Sequence, residues 1–288
     1  MFIAALTGIA LSIVVGGVTL YGVRLEDRTQ IIAHRGASAA APENTMAAVR
    51  RAIADQADWV EIDVQETAEG EVVVFHDSDF MKTANVDLKI WDATMADLEN
   101  IDIGSRFDSR FQDERVPTLR QVLTESKGKI QVLIELKYYG HDRKLEQRVA
   151  EIVESEGMQG HIAVMSLNYD KVLKMKALRP AWKVGLLTSA ALGDLTEVRA
   201  DFLAVNARLA NRDFVRSIHD IGKEVFVWTV NDAPTMSTMI SQGVDGLITD
   251  EPAMVGKVLN HRISMSPVGR MLLELAGVLG VTPEIGIQ

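Results

Sequence analysis

A chain of 288 residues, 47% hydrophobic and 24% charged, is long enough for one large α/β domain with a sizeable core and is poor material for a disordered one. Its formal net charge of −10 argues against a nucleic-acid partner, because proteins that track a phosphate backbone cluster lysine and arginine. With no cysteine it has no disulfide, no thiolate chemistry and no Cys-based zinc site, and the absence selects no compartment.

The first element in chain order is apolar. No charged residue occurs from Phe2 to Val23, and a helix needs roughly 20 apolar residues to cross the hydrocarbon core, so residues 1–24 are expected to form a transmembrane helix. No Lys or Arg precedes the run, and it exceeds the ~7–15 apolar residues of a secretory signal. Arg24 and Arg28 follow it, which by the positive-inside tendency favours the cytoplasmic side for the rest of the chain beyond a single N-terminal span. Met1 can equally be a natural start or the edge of a longer multi-span protein.

From Gln30 onward, β-rich apolar segments alternate with amphipathic ones. The strand candidates are Ile31 to His34, Trp59 to Val64, Val72 to His76, Val132 to Lys137, Ile162 to Ser166, Val184 to Thr188, Phe202 to Asn206, Val225 to Val230 and Gly246 to Thr249. They number one more than a (β/α)8 barrel needs. The link from Glu66 to Gly70 is too short for a parallel crossover of a dozen residues, so the second and third candidates should form a hairpin. The expected fold is an irregular TIM (β/α)8 barrel over residues 25–262. Thr45 to Gln56, with Asn44 and Thr45 as cap candidates, Leu145 to Glu156, and Asp213 to Ile221 read as crossover helices. Between about residues 78 and 117 the alternation stops, far beyond a usual βα loop. This insertion, helical around Thr94 to Asn100, lies on the active-site side as a cap or substrate wall. Residues 263–288 form an apolar tail in which Ser266 and Pro267 make an N-cap and N1 pair; it lies on a membrane surface or packs on the barrel.

The chemistry sits where strands end. In Trp59-Val60-Glu61-Ile62-Asp63-Val64 the two-residue period places Glu61 and Asp63 on one face and the valines and isoleucine on the other. With the apolar face on the helices, both acids point into the barrel, and the same reasoning places Glu135 and Lys137 inward. Three inward carboxylates repel one another unless a cation joins them. One divalent metal ion satisfies this, and all-oxygen ligation suits Mg²⁺ or Ca²⁺; an internal ion network of Glu135 with Lys137 or Arg35 is the alternative. His34 and His76 end the first and third candidates and can divide acid and base work, since imidazole titrates near neutrality. Arg35 offers a planar bidentate donor to phosphate, and Gly36 permits a tight turn. Asp77 either orients His76 or begins the insertion. His141, His161, His219 and His261 lack such surroundings and read as surface or packing residues.

His34-Arg35-Gly36-Ala37, Pro42-Glu43-Asn44-Thr45, Glu61-Ile62-Asp63-Val64, His76-Asp77, Glu135-Leu136-Lys137, Trp228-Thr229-Val230-Asn231 and the run Gly243 to Pro252 together resemble the glycerophosphodiester phosphodiesterase family over roughly residues 30 to 260. The resemblance implies an irregular TIM barrel and hydrolysis of a small glycerophosphodiester to sn-glycerol 3-phosphate and an alcohol. It implies His34 and His76 as the catalytic acid–base pair, Arg35 and Lys137 as phosphate binders, and Glu61, Asp63 and Glu135 as metal ligands. Trp228 resembles an aromatic wall at the barrel mouth, with a core role as the alternative. Glu43 matches a family position or serves the start of the first helix. The segment Lys82 to Asp87 departs from the family's glycine-rich hairpin, and the N-terminal run resembles the membrane-linked branch, which implies lipid-derived substrates near a bilayer.

Two other readings use the same residues. A lysophospholipase D-type enzyme would keep the metal and histidines and accept an acyl chain in a lysophospholipid-derived substrate. A non-catalytic, membrane-tethered glycerophosphodiester-binding protein would have no need of a proton-transfer pair. Nothing in the pattern specifies an oligomeric state.

Overall fold

The computed structural model describes residues 29–141, 143–190 and 194–278. The span expected over residues 1–24 lies outside the described residues, as does the tail from residue 279. Among the described residues, no helix is long and apolar enough to cross a membrane.

In chain order the strands are β1 (Gln30–Ala33), β2 (Trp59–Glu66), β3 (Val72–Val74), β4 (Asp79–Phe80), β5 (Val86–Lys89), β6 (Gln131–Leu136), β7 (Ile162–Ser166), β8 (Lys183–Thr188), β9 (Phe202–Asn206), β10 (Glu224–Trp228) and β11 (Gly246–Thr249). All but β3, β4 and β5 are parallel neighbours, running from β1 through β2 and β6 to β11, which returns to β1 and closes the barrel. The closure at β1 and β2 is narrow: Ile32 and Ala33 face Trp59 and Val60. Above that point β2 leaves β1, and Val64 to Glu66 pair antiparallel with β3, the hairpin that the short Glu66 to Gly70 link requires. The third strand stops at Val74 instead of reaching His76, although Phe75 N–H still donates in register to the Asp63 carbonyl at 2.9 Å.

Alternation separates two apolar layers. Val60, Ile62 and Val64 point outward into the layer under the helices, while Trp59, Ile32, Leu133, Phe202 and Phe226 plug the barrel interior. The polar inward residues therefore stack above this plug, at the C-terminal ends of the strands.

Outside the insertion the helices are α1 (Met46–Ala54), α2 (Leu119–Ser126), α3 (Leu145–Ser155), α4 (Tyr169–Leu178), α5 (Arg212–His219), α6 (Ala233–Gln242), α7 (Pro252–Ser264) and α8 (Pro267–Val278). α1, α3 and α5 occupy the three expected crossover segments within a few residues. Among the described residues, the β8–β9 link carries a 3-10 turn at Leu195–Glu197 and no α-helix. Residues 78–117 fold as a small unit: β4 pairs with β5, Thr94 caps a helical turn at Met95–Leu98, and Phe80, Ile90, Leu98, Ile103 and Val116 bury themselves with Phe75 in a separate cluster. At the other end of the chain Ser266 Oγ accepts from Gly269 N–H at 3.1 Å, and α8 packs against α6.

Candidate active site

The turn after β1 is built from two left-handed residues, Arg35 at φ +54 and Gly36 at φ +83. A Cβ on Gly36 would lie 2.5 Å from Ala48 Cβ, so only glycine brings α1 this close to the turn. Turned this way, Arg35 N–H donates to Glu61 Oε2 at 2.8 Å, its Nη1 donates to Glu43 Oε1 at 3.1 Å, and its Nε lies 3.4 Å from Asp63 Oδ2. His34 leaves the same turn with Nδ1 2.6 Å from Asp250 Oδ1, just past β11. Asp250 also accepts from Ser38 Oγ at 2.8 Å and from Asn231 Nδ2 at 2.6 Å. Burial alone would raise the Asp250 carboxyl, but the His34, Ser38 and Asn231 hydrogen bonds outweigh it and hold the group at about 2.

On β2 and β6, Glu61, Asp63 and Glu135 are buried, and one oxygen from each lies within 4.8 Å of the others. Lys137 Nζ sits 3.0 Å from Asp63 Oδ1 and 2.5 Å from Glu135 Oε1. Asn44, left-handed at φ +57, donates through Nδ2 to Asp63 Oδ2 at 2.8 Å and accepts Asp63 N–H at 3.2 Å. Despite burial, the Lys137 and Arg35 charges hold Asp63 at about 2. Burial, then the charges of Asp63 and Glu135, push Glu61 well above the carboxylate range. Burial and Asp63 lift Glu135 to about 7 against the pull of Lys137. Two of three clustered acids thus favour retaining protons, and Glu61 Oε1 is buried without a hydrogen-bond partner. An orphaned carboxylate oxygen in an all-oxygen donor set fits a hard divalent cation of the Mg²⁺ or Ca²⁺ type. The ion network expected as the alternative is present as well, since Lys137 and Arg35 both meet Asp63, but it leaves Glu61 Oε1 unsatisfied.

His76 completes the ring of polar groups. Its Nδ1 lies 2.7 Å from Asp77 Oδ1, which resolves Asp77 as an orienting partner. Burial, together with the Lys137 and Arg35 charges, lowers the His76 pKa against the pull of Asp63 and Asp77. The backbone of this loop is clamped: Gln65 Nε2 donates to the Phe75 and Asp77 carbonyls, each at 2.8 Å, and Tyr139 OH donates to the His76 carbonyl at 2.6 Å. Trp91, on the insertion, stacks on His141 with ring centroids 3.8 Å apart, and Lys82 reaches Glu43 at 3.4 Å. The insertion therefore touches the barrel rim on two sides of the site.

His34, Arg35, Glu61, Asp63, His76, Glu135 and Lys137 all meet at one end of the barrel. Trp228 is half core: Nε1 donates to the Ala204 carbonyl at 3.1 Å and the ring packs on the interior plug. Glu43 holds Arg35, and Thr45 alone caps α1, through Oγ1 accepting Ala48 N–H at 3.2 Å. Sequence reasoning missed Asn44, Gln65, Tyr139, Asn231 and Asp250 as parts of the site, while His141, expected as a surface or packing residue, is exposed and packs on Trp91. One signal was available: Ile248 and Asp250 share strand parity, so an inward Ile248 implies an inward Asp250.

The family model described as "Glycerophosphoryl diester phosphodiesterase family" matches residues 34–254. YhdW of Bacillus subtilis is 34% identical over 80% of this chain and 98% of its own length. A glycerophosphodiester phosphodiesterase of Caldanaerobacter subterraneus subsp. tengcongensis is 33% identical over 78% of this chain and 95% of its length. Among solved structures, an Oleispira antarctica phosphodiesterase in complex with the product sn-glycerol-3-phosphate superposes with a TM-score of 0.73 at 29% identity, covering 80% of this chain and 96% of that one.

Proposed function

The chain belongs to the glycerophosphoryl diester phosphodiesterase family and is a glycerophosphodiester phosphodiesterase; on that premise we propose that it cleaves glycerophosphodiesters to sn-glycerol 3-phosphate and an alcohol by metal-dependent, two-histidine chemistry. The observation that carries the reading is the convergence of three buried carboxylates, two cations and two His–Asp pairs on one end of the barrel. The product held by the Oleispira relative supports the same substrate class.

Glu61, Asp63 and Glu135 would hold the divalent cation, which when bound draws charge from a phosphoryl oxygen. Arg35 and Lys137 orient the phosphate and offset its negative charge, Arg35 through a guanidinium already fixed by Glu43. His76, kept neutral by burial, takes the proton from the attacking oxygen, either water itself or a glycerol hydroxyl whose cyclic phosphate water then opens. His34, whose Nδ1 faces the ionised Asp250, presents Nε2 and delivers a proton to the departing alkoxide, so one proton is taken up and one released per turnover. Residues 2–23 anchor this domain to a bilayer, a reading supported by their charge-free sequence.

The decisive experiment measures glycerol 3-phosphate released from glycerophosphocholine and glycerophosphoethanolamine by the purified chain with Mg²⁺, Ca²⁺ or chelator, beside a lysophospholipid. Release that stops in chelator supports the reading. Turnover of the lysophospholipid alone would transfer it to the lipid-acting alternative, and full activity in chelator would remove the metal.

A further inference from the structure

At the end of the barrel opposite the site, one patch of the surface is apolar. Ile263 closes α7 at 64% exposed, and Val268, Met271 and Leu272 on the first turns of α8 are 63%, 46% and 59% exposed, while Leu273 beside them is buried. Large aliphatic side chains rarely cluster in water on a monomeric protein without a use. The only charged side chains within α8 are Arg270 and Glu274.

The topology fixes where this patch lies. α7 starts at the C-terminal end of β11 and runs back along the barrel, so Ile263 and the start of α8 fall at the N-terminal end of the strands. α8 rests on α6, which runs the same way and delivers the chain to Val244 before β11 begins. Thr29, the first described residue, donates through Oγ1 to that Val244 carbonyl at 3.1 Å. The charge-free run Phe2–Val23 is therefore joined to the barrel by Arg24 to Arg28 at the same end as the patch. Five residues reach at most about 18 Å, so an anchored bilayer stays close to that end.

We infer that Ile263, Val268, Met271 and Leu272 dock on the lipid surface that residues 2–23 enter, which seats the barrel with its mouth pointing away from the membrane. This rests on the anchor reading above and deepens the functional one. An inverted mouth is fed from water, so the substrates are deacylated, soluble glycerophosphodiesters, and a lysophospholipid embedded in the same bilayer lies beyond reach.

The chain has no cysteine, so single probes can be placed cleanly. Leu272→Cys and Asp87→Cys, the second on the exposed insertion ribbon, are labelled with an environment-sensitive fluorophore in the full chain and mixed with phosphatidylcholine–phosphatidylglycerol vesicles. The expected result is several-fold stronger quenching at position 272 by spin-labelled lipid, the reverse with aqueous iodide, and loss of the lipid effect at 272 when Val268→Asp is added. Glycerophosphocholine turnover, followed in the same samples, should stay unchanged. Iodide access at 272 equal to that at 87 on vesicle-bound protein would overturn the docking while leaving the anchor. Protein that fails to float with vesicles would overturn both, and protection of 272 from both quenchers would assign the patch to a second copy instead. Vesicle lysophospholipid cleaved as fast as glycerophosphocholine would overturn the orientation. None of the quenching or flotation outcomes touches the hydrolase reading, which stands or falls on turnover alone.

Discussion

At the residue scale, the site separates side chains that do chemistry from side chains that aim them. His34→Ala and His76→Ala should each lower kcat by about 10²–10⁴, the worth of general acid–base catalysis, with unchanged thermal unfolding. Asp250→Asn keeps the shape and removes the charge. It should lower kcat by about 10-fold or more with KM little changed and shift the pH profile of kcat, because a neutral amide no longer fixes the imidazole tautomer. The three acids make a separate prediction. Glu61 and Glu135 favour their protons, Glu135 up to about 7, so a binding cation must displace them. Calorimetry at pH 7 in buffers of different ionisation enthalpy should show net proton release on Mg²⁺ or Ca²⁺ binding, with affinity weakening as pH falls below 7 and a smaller release in Glu135→Gln. Strand parity made Glu61, Asp63, Glu135 and Lys137 legible, since alternation is a local property. Asn44 was not, and Asp250 was legible only as an inward position, because what defines their roles is a partner 19 or 216 residues away.

At the scale of elements, short signals with a single physical meaning were readable. A link too short for a crossover forced the β2–β3 hairpin, and the helical stretch expected around Thr94 begins there, through a capping box. α6 was illegible because α7 and α8 cover it, leaving Ala233, Met236, Ser237, Met239 and Ile240 buried and no clean polar stripe. The β4–β5 ribbon, only a few residues on each side and turned at left-handed Asn85, is too short to show periodicity. The turn after β1 offers a test that divides stability from function. Gly36→Ala adds both left-handed strain and an overlap with Ala48, and should cost about 1–3 kcal/mol in denaturant unfolding while displacing Arg35 and reducing activity. Thr45→Ala removes the α1 cap and the Oγ1 donation to the Pro42 carbonyl at 2.6 Å, and should cost about 1–2 kcal/mol with kcat preserved.

At the scale of the whole molecule, counting strands and locating one hairpin sufficed for the closed barrel, while the insertion's separate core and the seat of α8 emerged only from packing. The buried acids also set how the metal-free protein responds to pH. Glu135 titrates at about 7 when folded and near 4.3 in an unfolded chain, so between those values the folded state binds the extra proton and stability falls as pH rises. In chelator, the unfolding temperature should therefore drop between about pH 4.5 and 7, and saturating divalent cation should abolish that drop; equal slopes with and without cation would mean the acids do not titrate as described. The bonds that join the ends of the fold carry a different consequence. Thr29 meets Val244 and His34 meets Asp250 across 215 and 216 residues. During translation β1 emerges long before β11, its neighbour on that side, has been synthesised, and it waits for almost the entire barrel before His34 acquires its carboxylate. Nascent chains stalled anywhere upstream of Asp250 accordingly lack both the closed barrel and the carboxylate that orients His34, so the protein becomes an enzyme only as its last strand arrives.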